Sequence, residues 1–116
     1  MTPRLTVSYE RFDVVKVPFP FTDKARAKKR PALILSANAA FNAPAGHSVL
    51  AMITSAKNTA WPLDVAVSDL TAAGLPAPSV VRMKLFTLDH RLVLGKIGRL
   101  AAADEAAVTR ALKKLC

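Results

Sequence analysis

The chain has 116 residues, 52% of them hydrophobic and 22% charged, and carries a net charge of +9 at neutral pH. That length suits one domain around one core, because a fold of this size buries roughly two-thirds of the surface its unfolded chain exposes, and the composition excludes an intrinsically disordered chain. The longest apolar run, Val49 to Ile53, is too short for a membrane span of about 20 residues or a signal-peptide core of about 7–15, so a cytoplasmic protein without a membrane partner is expected.

After a polar N-terminal tail, RFDVVKVPFPF at 11–21 places β-branched and aromatic residues almost without interruption and ends in Pro-x-Pro, which stops sheet pairing. It predicts a first strand and an exposed turn. KARAKKRP at 24–31 follows, the densest positive charge in the chain, and runs directly into PALILS at 31–36, a second strand opened by its proline. SVLAMITS at 48–55 is a third strand, with Leu50, Met52 and Thr54 on one face and Val49, Ile53 and Ser55 on the other. PLDVAV, SVVRMKLFTL and RLVLGKIGRL supply further strand signals, joined by pieces rich in Pro, Gly and Asn as turns require. Several short strands with helix at the margins suggest a small barrel. The C-terminal ADEAAVTRALKKL reads as one amphipathic helix: Val108, Leu112 and Leu115 recur at i, i+4 and i+7, acids lie in the first turn and lysines in the last. No repeat, linker or low-complexity tract divides the chain, so residues 1–116 are expected to form a single domain.

A positive excess of this size attracts polyanions, with nucleic acid, acidic protein segments and anionic membrane as candidates and simple solubility as the alternative. The lone cysteine, Cys116, cannot form an intrachain disulfide and fits a reducing compartment. There is no P-loop, nucleophile elbow or Cys/His metal spacing, so neither a metal nor a nucleotide cofactor is expected. His47 and His90 could form an acid/base pair of the kind that cleaves RNA, but each lies in a turn-like stretch and a solvated histidine is the plainer reading. Arg30 is more informative. A residue before proline is driven into extended geometry, and its permanently charged fork matches phosphate oxygens better than a lysine does. Alone it would be a solvated charge, whereas Lys24, Arg26, Lys28 and Lys29 around it favour a polyanion site.

The ordered series DVVKVPFPFTD, KKRPALILS, MITS, AGLPAPSVVRMKLFTLD and KIGRL before a final helix resembles the MazF/PemK family of toxin endoribonucleases, from about Asp13 to Leu115. The resemblance implies a mainly β fold with α, a small SH3-like barrel of the CcdB/PemK type with a C-terminal amphipathic helix. It also implies a cytoplasmic homodimer that cleaves single-stranded RNA without metal, held inactive by a MazE-like antitoxin laid over its RNA groove. The family's catalytic arginine in its RP motif falls on Arg30 and its catalytic threonine on Thr54; Lys24, Arg26, Lys28, Lys29, Ser55, Arg82 and Lys84 are the expected RNA contacts. Two positions depart from the family pattern: Phe12 stands where glycine commonly precedes the first aspartate, and Lys84 where glutamine is common.

The chemistry such a site needs is modest, because the 2′-hydroxyl of RNA can attack its own phosphate and the protein has only to align the groups and stabilise a phosphorane-like transition state. A non-enzymatic barrel of the same fold, binding nucleic acid or poisoning gyrase as CcdB does, is the alternative; the gyrase poisons act through a C-terminal Trp-Gly-Ile, and this chain ends Lys-Leu-Cys. For Thr54 the alternative is a strand-end hydroxyl satisfying local backbone. For Trp61, a hydrophobic loop anchor is preferred to a base-stacking platform.

Overall fold

The computed structural model describes residues 8–19 and 28–116. Six strands, β1 (Asp13–Phe19), β2 (Lys28–Ile34), β3 (His47–Ser55), β4 (Val65–Ala66), β5 (Ser79–Asp89) and β6 (Gly95–Arg99), form one antiparallel sheet in the order β4-β5-β3-β2-β1-β6. Among the described residues there are also three helices, α1 (Ala43–Ala45), α2 (Leu70–Ala73) and α3 (Ala102–Leu115), with a π-type turn at Asn38–Asn42 and a 3-10 turn at His90–Leu92. The mainly β fold with a C-terminal helix is as expected, and the small barrel takes the form of a curled half-barrel sheet. Among the described residues no helix is long and apolar enough to cross a membrane.

Alternation along the strands divides the core into two. Val14, Leu33, Ala51, Ile53 and Val81 face one way and pack under α3 with Val108 and Ala111. Val15, Val17, Ala32, Ile34 and Leu50 face the other way and pack with Tyr9 and Leu88. The sheet curls where its ladders slip, between Val14 and Val15 on β1 and between Ala51 and Met52 on β3, the local bending that bulges produce. Helices cover the two edge strands, α2 on β6 and α3 on β4. The first contact demands glycine: a Cβ at Gly98 would lie 2.3 Å from the carbonyl carbon of Ala73, and one at Gly74 would lie 2.0 Å from the Ile97 oxygen.

Charged groups on this helix-covered side hold elements together. Asp104, buried at the start of α3, accepts from the Ser68 amide at 2.9 Å, the Ser68 hydroxyl at 2.7 Å and the Asp69 amide at 3.0 Å. Burial pushes its carboxyl up, and these donors together outweigh that, leaving it below the usual aspartate value. Asp13, also buried, receives Lys96 at 3.2 Å and Arg99 at 3.1 Å.

Several expectations need correction. β2 begins at Lys28, before the proline, because β1 pairs with it as far as Phe19↔Lys28. PLDVAV contributes only the two-residue β4, and RLVLGKIGRL divides into the end of a 3-10 turn and β6. The buried stripe of α3 is Asp104, Val108 and Ala111 with Leu112 against it, whereas Leu115 in the last turn is 42% exposed. Phe12 adopts φ +74°, the left-handed conformation that glycine takes without strain, in a turn closed by a 3.1 Å bond from the Asp13 amide to Glu10. The departure from glycine at this position is thus borne by a strained backbone whose ring packs against the α3-side core.

Candidate active site

The site arises where the sheet forks. β2 and β3 pair from Ile34↔Leu50 to Ala32↔Met52 and no further. Beyond that point β3 stays with β5 as far as Ser55↔Ser79, while β2 stays with β1 as far as Lys28↔Phe19. The ladder to β3 ends next to Pro31, which has no amide hydrogen to offer it. Continuing the register by two residues sets Arg30 across from Thr54, and the two-residue period keeps both on the face of Ala32 and Met52.

Two recesses open at the fork. One, of about 350 Å³, is lined by Lys28 to Pro31, Ile53 to Ser55 and the wall Leu75 to Ser79; the other, of about 170 Å³, by Phe19, Met52, Arg82 and Lys84. Arg30, Ile53 and Thr54 line both. The geometry therefore brings together the arginine and the threonine that the sequence singled out from separate strands.

Arg30 is partly buried, with the Phe19 ring centroid 5.5 Å from its guanidinium carbon. Its Nε is buried and has no hydrogen-bond partner among the described residues. A buried donor without an acceptor is costly, more so on a charged group, and a guanidinium cannot relieve the cost by losing its proton. Thr54 is partly exposed, and its Oγ accepts a 2.5 Å hydrogen bond from Asn58 Nδ2. Asn58 is brought back by a turn in which its amide bonds to the Ser55 carbonyl at 3.1 Å and the Lys57 amide to the Ser55 hydroxyl at 3.2 Å.

The remaining expected RNA contacts divide. Lys28, Lys29 and Ser55 are exposed at the larger recess. Lys24 and Arg26 lie outside the described residues. Arg82 is committed elsewhere: its Nη2 meets Asp64 at 2.9 Å and the Thr59 carbonyl at 2.7 Å, and its Nε meets Asp64 at 3.2 Å. Its hydrogen bonds hold the Asp64 carboxyl below the usual range, and the Trp61 amide adds a 3.0 Å bond to the same carboxylate. Arg82 thus ties residues 59–64 to β5. Lys84 stands at a two-residue slip of the β5 ladder, its Nζ 4.5 Å from the Trp61 ring centroid. Trp61 itself is 42% exposed and carries cations on its face, so it is less a buried anchor than the sequence reading preferred.

The histidines lie at the other end of β3. His47 starts that strand, with Nε2 3.9 Å from Asp89. His90 is not the solvated residue expected: it is half-buried, its Nε2 2.7 Å from the buried Ser48 hydroxyl, its ring edge-on to Tyr9. Sequence reasoning missed Asn58 and Phe19 at the site. The only signal for Asn58 was a turn-forming Ser-Ala-Lys-Asn directly after a strand-end threonine.

The pattern of the family described as PemK-like, MazF-like toxin of type II toxin–antitoxin system matches residues 10–116. No curated protein sequence matches the chain. Among solved structures, the MazE–MazF complex of Deinococcus radiodurans superposes with a TM-score of 0.71 at 24% identity, covering 92% of this chain and 94% of that one. The Mycobacterium tuberculosis toxin MazF-mt6 gives 0.69 at 25% identity, covering 88% and 93%. An endoribonuclease in complex with its cognate antitoxin, from a mycobacterial species, gives 0.67 at 22% identity, covering 91% and 90%.

Proposed function

The chain belongs to the PemK-like, MazF-like toxins of type II toxin–antitoxin systems, and from that membership we propose that it is an endoribonuclease that cleaves single-stranded RNA at the fork between β2 and β3. The observation that carries this reading is Arg30: a permanently charged fork whose buried Nε has no hydrogen-bond partner among the described residues, lining the same two recesses as Thr54. A phosphate group between them would supply the acceptor that the described residues do not give Arg30.

In the reaction the 2′-oxygen forms a bond to the adjacent phosphorus and the bond from phosphorus to the 5′-oxygen breaks. The 2′-hydroxyl releases one proton and the departing 5′-oxygen takes one up, leaving a 2′,3′-cyclic phosphate and a 5′-hydroxyl. Arg30 balances the charge that grows on the non-bridging oxygens, where a preorganised donor is worth most. Thr54 donates a hydrogen bond to the same group. Lys28 and Lys29 gather the RNA backbone along the larger recess, with Lys24 and Arg26 preceding them in the chain. Because the nucleophile belongs to the substrate, the mechanism requires no metal. A MazE-like antitoxin is the natural protein partner, since similar structures are toxin–antitoxin complexes, and a segment of it lying across the fork would compete with RNA for Arg30. A homodimer is proposed with it.

The test is an RNA oligonucleotide with a single 2′-deoxyribose immediately 5′ of the scissile phosphate, assayed with EDTA present. Cleavage of the all-ribose strand should persist in EDTA, and cleavage of the substituted strand should stop at that bond. Binding should weaken by no more than about 1–1.5 kcal/mol, the net worth of one hydrogen bond. Cutting of the deoxy-substituted strand at the same bond would mean that water or a side chain is the nucleophile, and the roles given to Arg30 and Thr54 would fall with it.

A further inference from the structure

We infer that Asn58 is a positioning residue that fixes the Thr54 hydroxyl as a hydrogen-bond donor toward the scissile phosphate; the inference rests on the ribonuclease reading of the fork. A threonine hydroxyl has one proton and can either donate it to a ligand or turn it toward a neighbouring acceptor. At the end of a strand such a hydroxyl commonly turns toward local backbone or side-chain acceptors, where it is lost to chemistry. Here Asn58 turns the nitrogen of its side-chain amide, the donating end, and not its oxygen toward the hydroxyl. Because Asn58 Nδ2 donates into Thr54 Oγ at 2.5 Å, one lone pair is occupied and the Thr54 proton must point away from Asn58. Thr54 lines both recesses, and the direction left for its proton includes the fork that it shares with Arg30.

Asn58 is held for this task from both sides. On its N-terminal side the Ser55 carbonyl accepts its amide at 3.1 Å, and the Ser55 hydroxyl accepts the Lys57 amide at 3.2 Å. On its C-terminal side the next residue, Thr59, has its carbonyl clamped by Arg82 at 2.7 Å, and Arg82 is itself fixed by Asp64. The clamp on Arg82 thus acquires a purpose at the fork: it keeps the turn that carries Asn58 closed over Thr54.

The test measures kcat and KM for RNA cleavage by the unsubstituted protein, Asn58→Ala, Asn58→Asp, Thr54→Ala and the Thr54→Ala/Asn58→Asp double variant, between pH 4 and 8. Asn58→Ala should lower kcat about tenfold with little change in KM, the scale of misaligning one hydrogen bond in the transition state. Asn58→Asp should lose more at neutral pH, because a carboxylate accepts the Thr54 proton. It should then regain kcat as pH falls toward about 4, where the acid protonates and can donate again. In the Thr54→Ala background the aspartate should cost nothing further in kcat. An unchanged kcat for Asn58→Ala, or an equal loss from aspartate with and without Thr54, overturns the inference while leaving the ribonuclease reading intact. Absence of cleavage by the unsubstituted protein overturns both.

Discussion

On the α3 side of the sheet, buried charges have partners: Asp104 is saturated by Ser68 and Asp69, and Asp13 by Lys96 and Arg99. At the fork between β2 and β3 the pattern reverses. Arg30 has a buried donor with no acceptor among the described residues, Phe19 is 42% exposed beside it, and the Thr54 hydroxyl accepts from Asn58. Both regions are built by the same strands, with alternate residues serving alternate faces. The difference is in what the polar groups do: on one side they join elements of the chain, and on the other, in the ribonuclease reading, they await a ligand. Arg82 marks the boundary, since it lines the smaller recess yet, through its pair with Asp64, serves to tie a loop.

If that contrast is sound, substitutions at the fork should change turnover and leave stability alone, and substitutions on the α3 side should do the opposite. Arg30→Ala gives the largest effect. Its kcat should fall at least about a hundredfold, the scale of losing one preorganised charge-stabilising donor. The unfolding midpoint should stay level or rise, because removing a desolvated cation removes its penalty. Single-turnover cleavage and thermal unfolding measured on the same preparation check both halves. A large loss of stability with a proportionate loss of activity would erase the contrast.

Asp104→Ala is the mirror case. It strips acceptors from two amides and a hydroxyl in a buried setting, so stability at neutral pH should drop by about 1–3 kcal/mol, with kcat unchanged. The pH dependence has a definite sign. The folded carboxyl titrates below the ordinary value of about 3.9, so its stabilising contribution is complete above that value and disappears as pH falls through the lower folded one. Denaturant melts below about pH 4 should therefore show a shallower acid loss in the alanine variant than in the unsubstituted protein. Equal slopes would show that Asp104 does not carry the stabilisation.

How much of this could be read from the sequence follows from the range of each interaction. The strands were legible because β-branched runs and turn residues are local signals; Arg30 is singled out by its place before Pro31, and Thr54 only by the family resemblance. The short helices at 43–45 and 70–73 were not, since a turn or less of helix has no periodicity to detect. Asp104 was read as a helix-dipole charge, and in the folded chain it also reaches residues 36 and 35 positions earlier. Arg82 is an expected RNA contact through the family resemblance alone, and its pairing with Asp64, 18 residues earlier on a loop that only folding brings back, has no local signal. Long-range pairing decides which cations are free, and the sequence shows only how many there are.

The smallest effect tests whether strain on the α3 side is offset by packing. Phe12 has φ +74°, which costs a residue with a Cβ about 1–2 kcal/mol relative to glycine. Its ring, partly buried against the core under α3, recovers a share of the roughly 1.5–3 kcal/mol that a fully buried large side chain contributes. Phe12→Ala loses the ring and keeps the strained backbone, whereas Phe12→Gly loses the ring and relieves it. Glycine also widens the unfolded ensemble, which takes back about 0.5–1 kcal/mol. The expected order of stability is therefore Phe12, then the glycine variant, then the alanine variant, with glycine ahead of alanine by up to about 1.5 kcal/mol. In an unstrained strand or helix the last two would stand in the opposite order. Chemical denaturation of the three proteins decides it: alanine above glycine by about 0.5–1 kcal/mol, the unfolded-state term alone, would mean that the left-handed turn before Asp13 stores no strain. Cleavage of RNA should be the same in all three, because the turn lies at the far end of β1 from Phe19 and the fork.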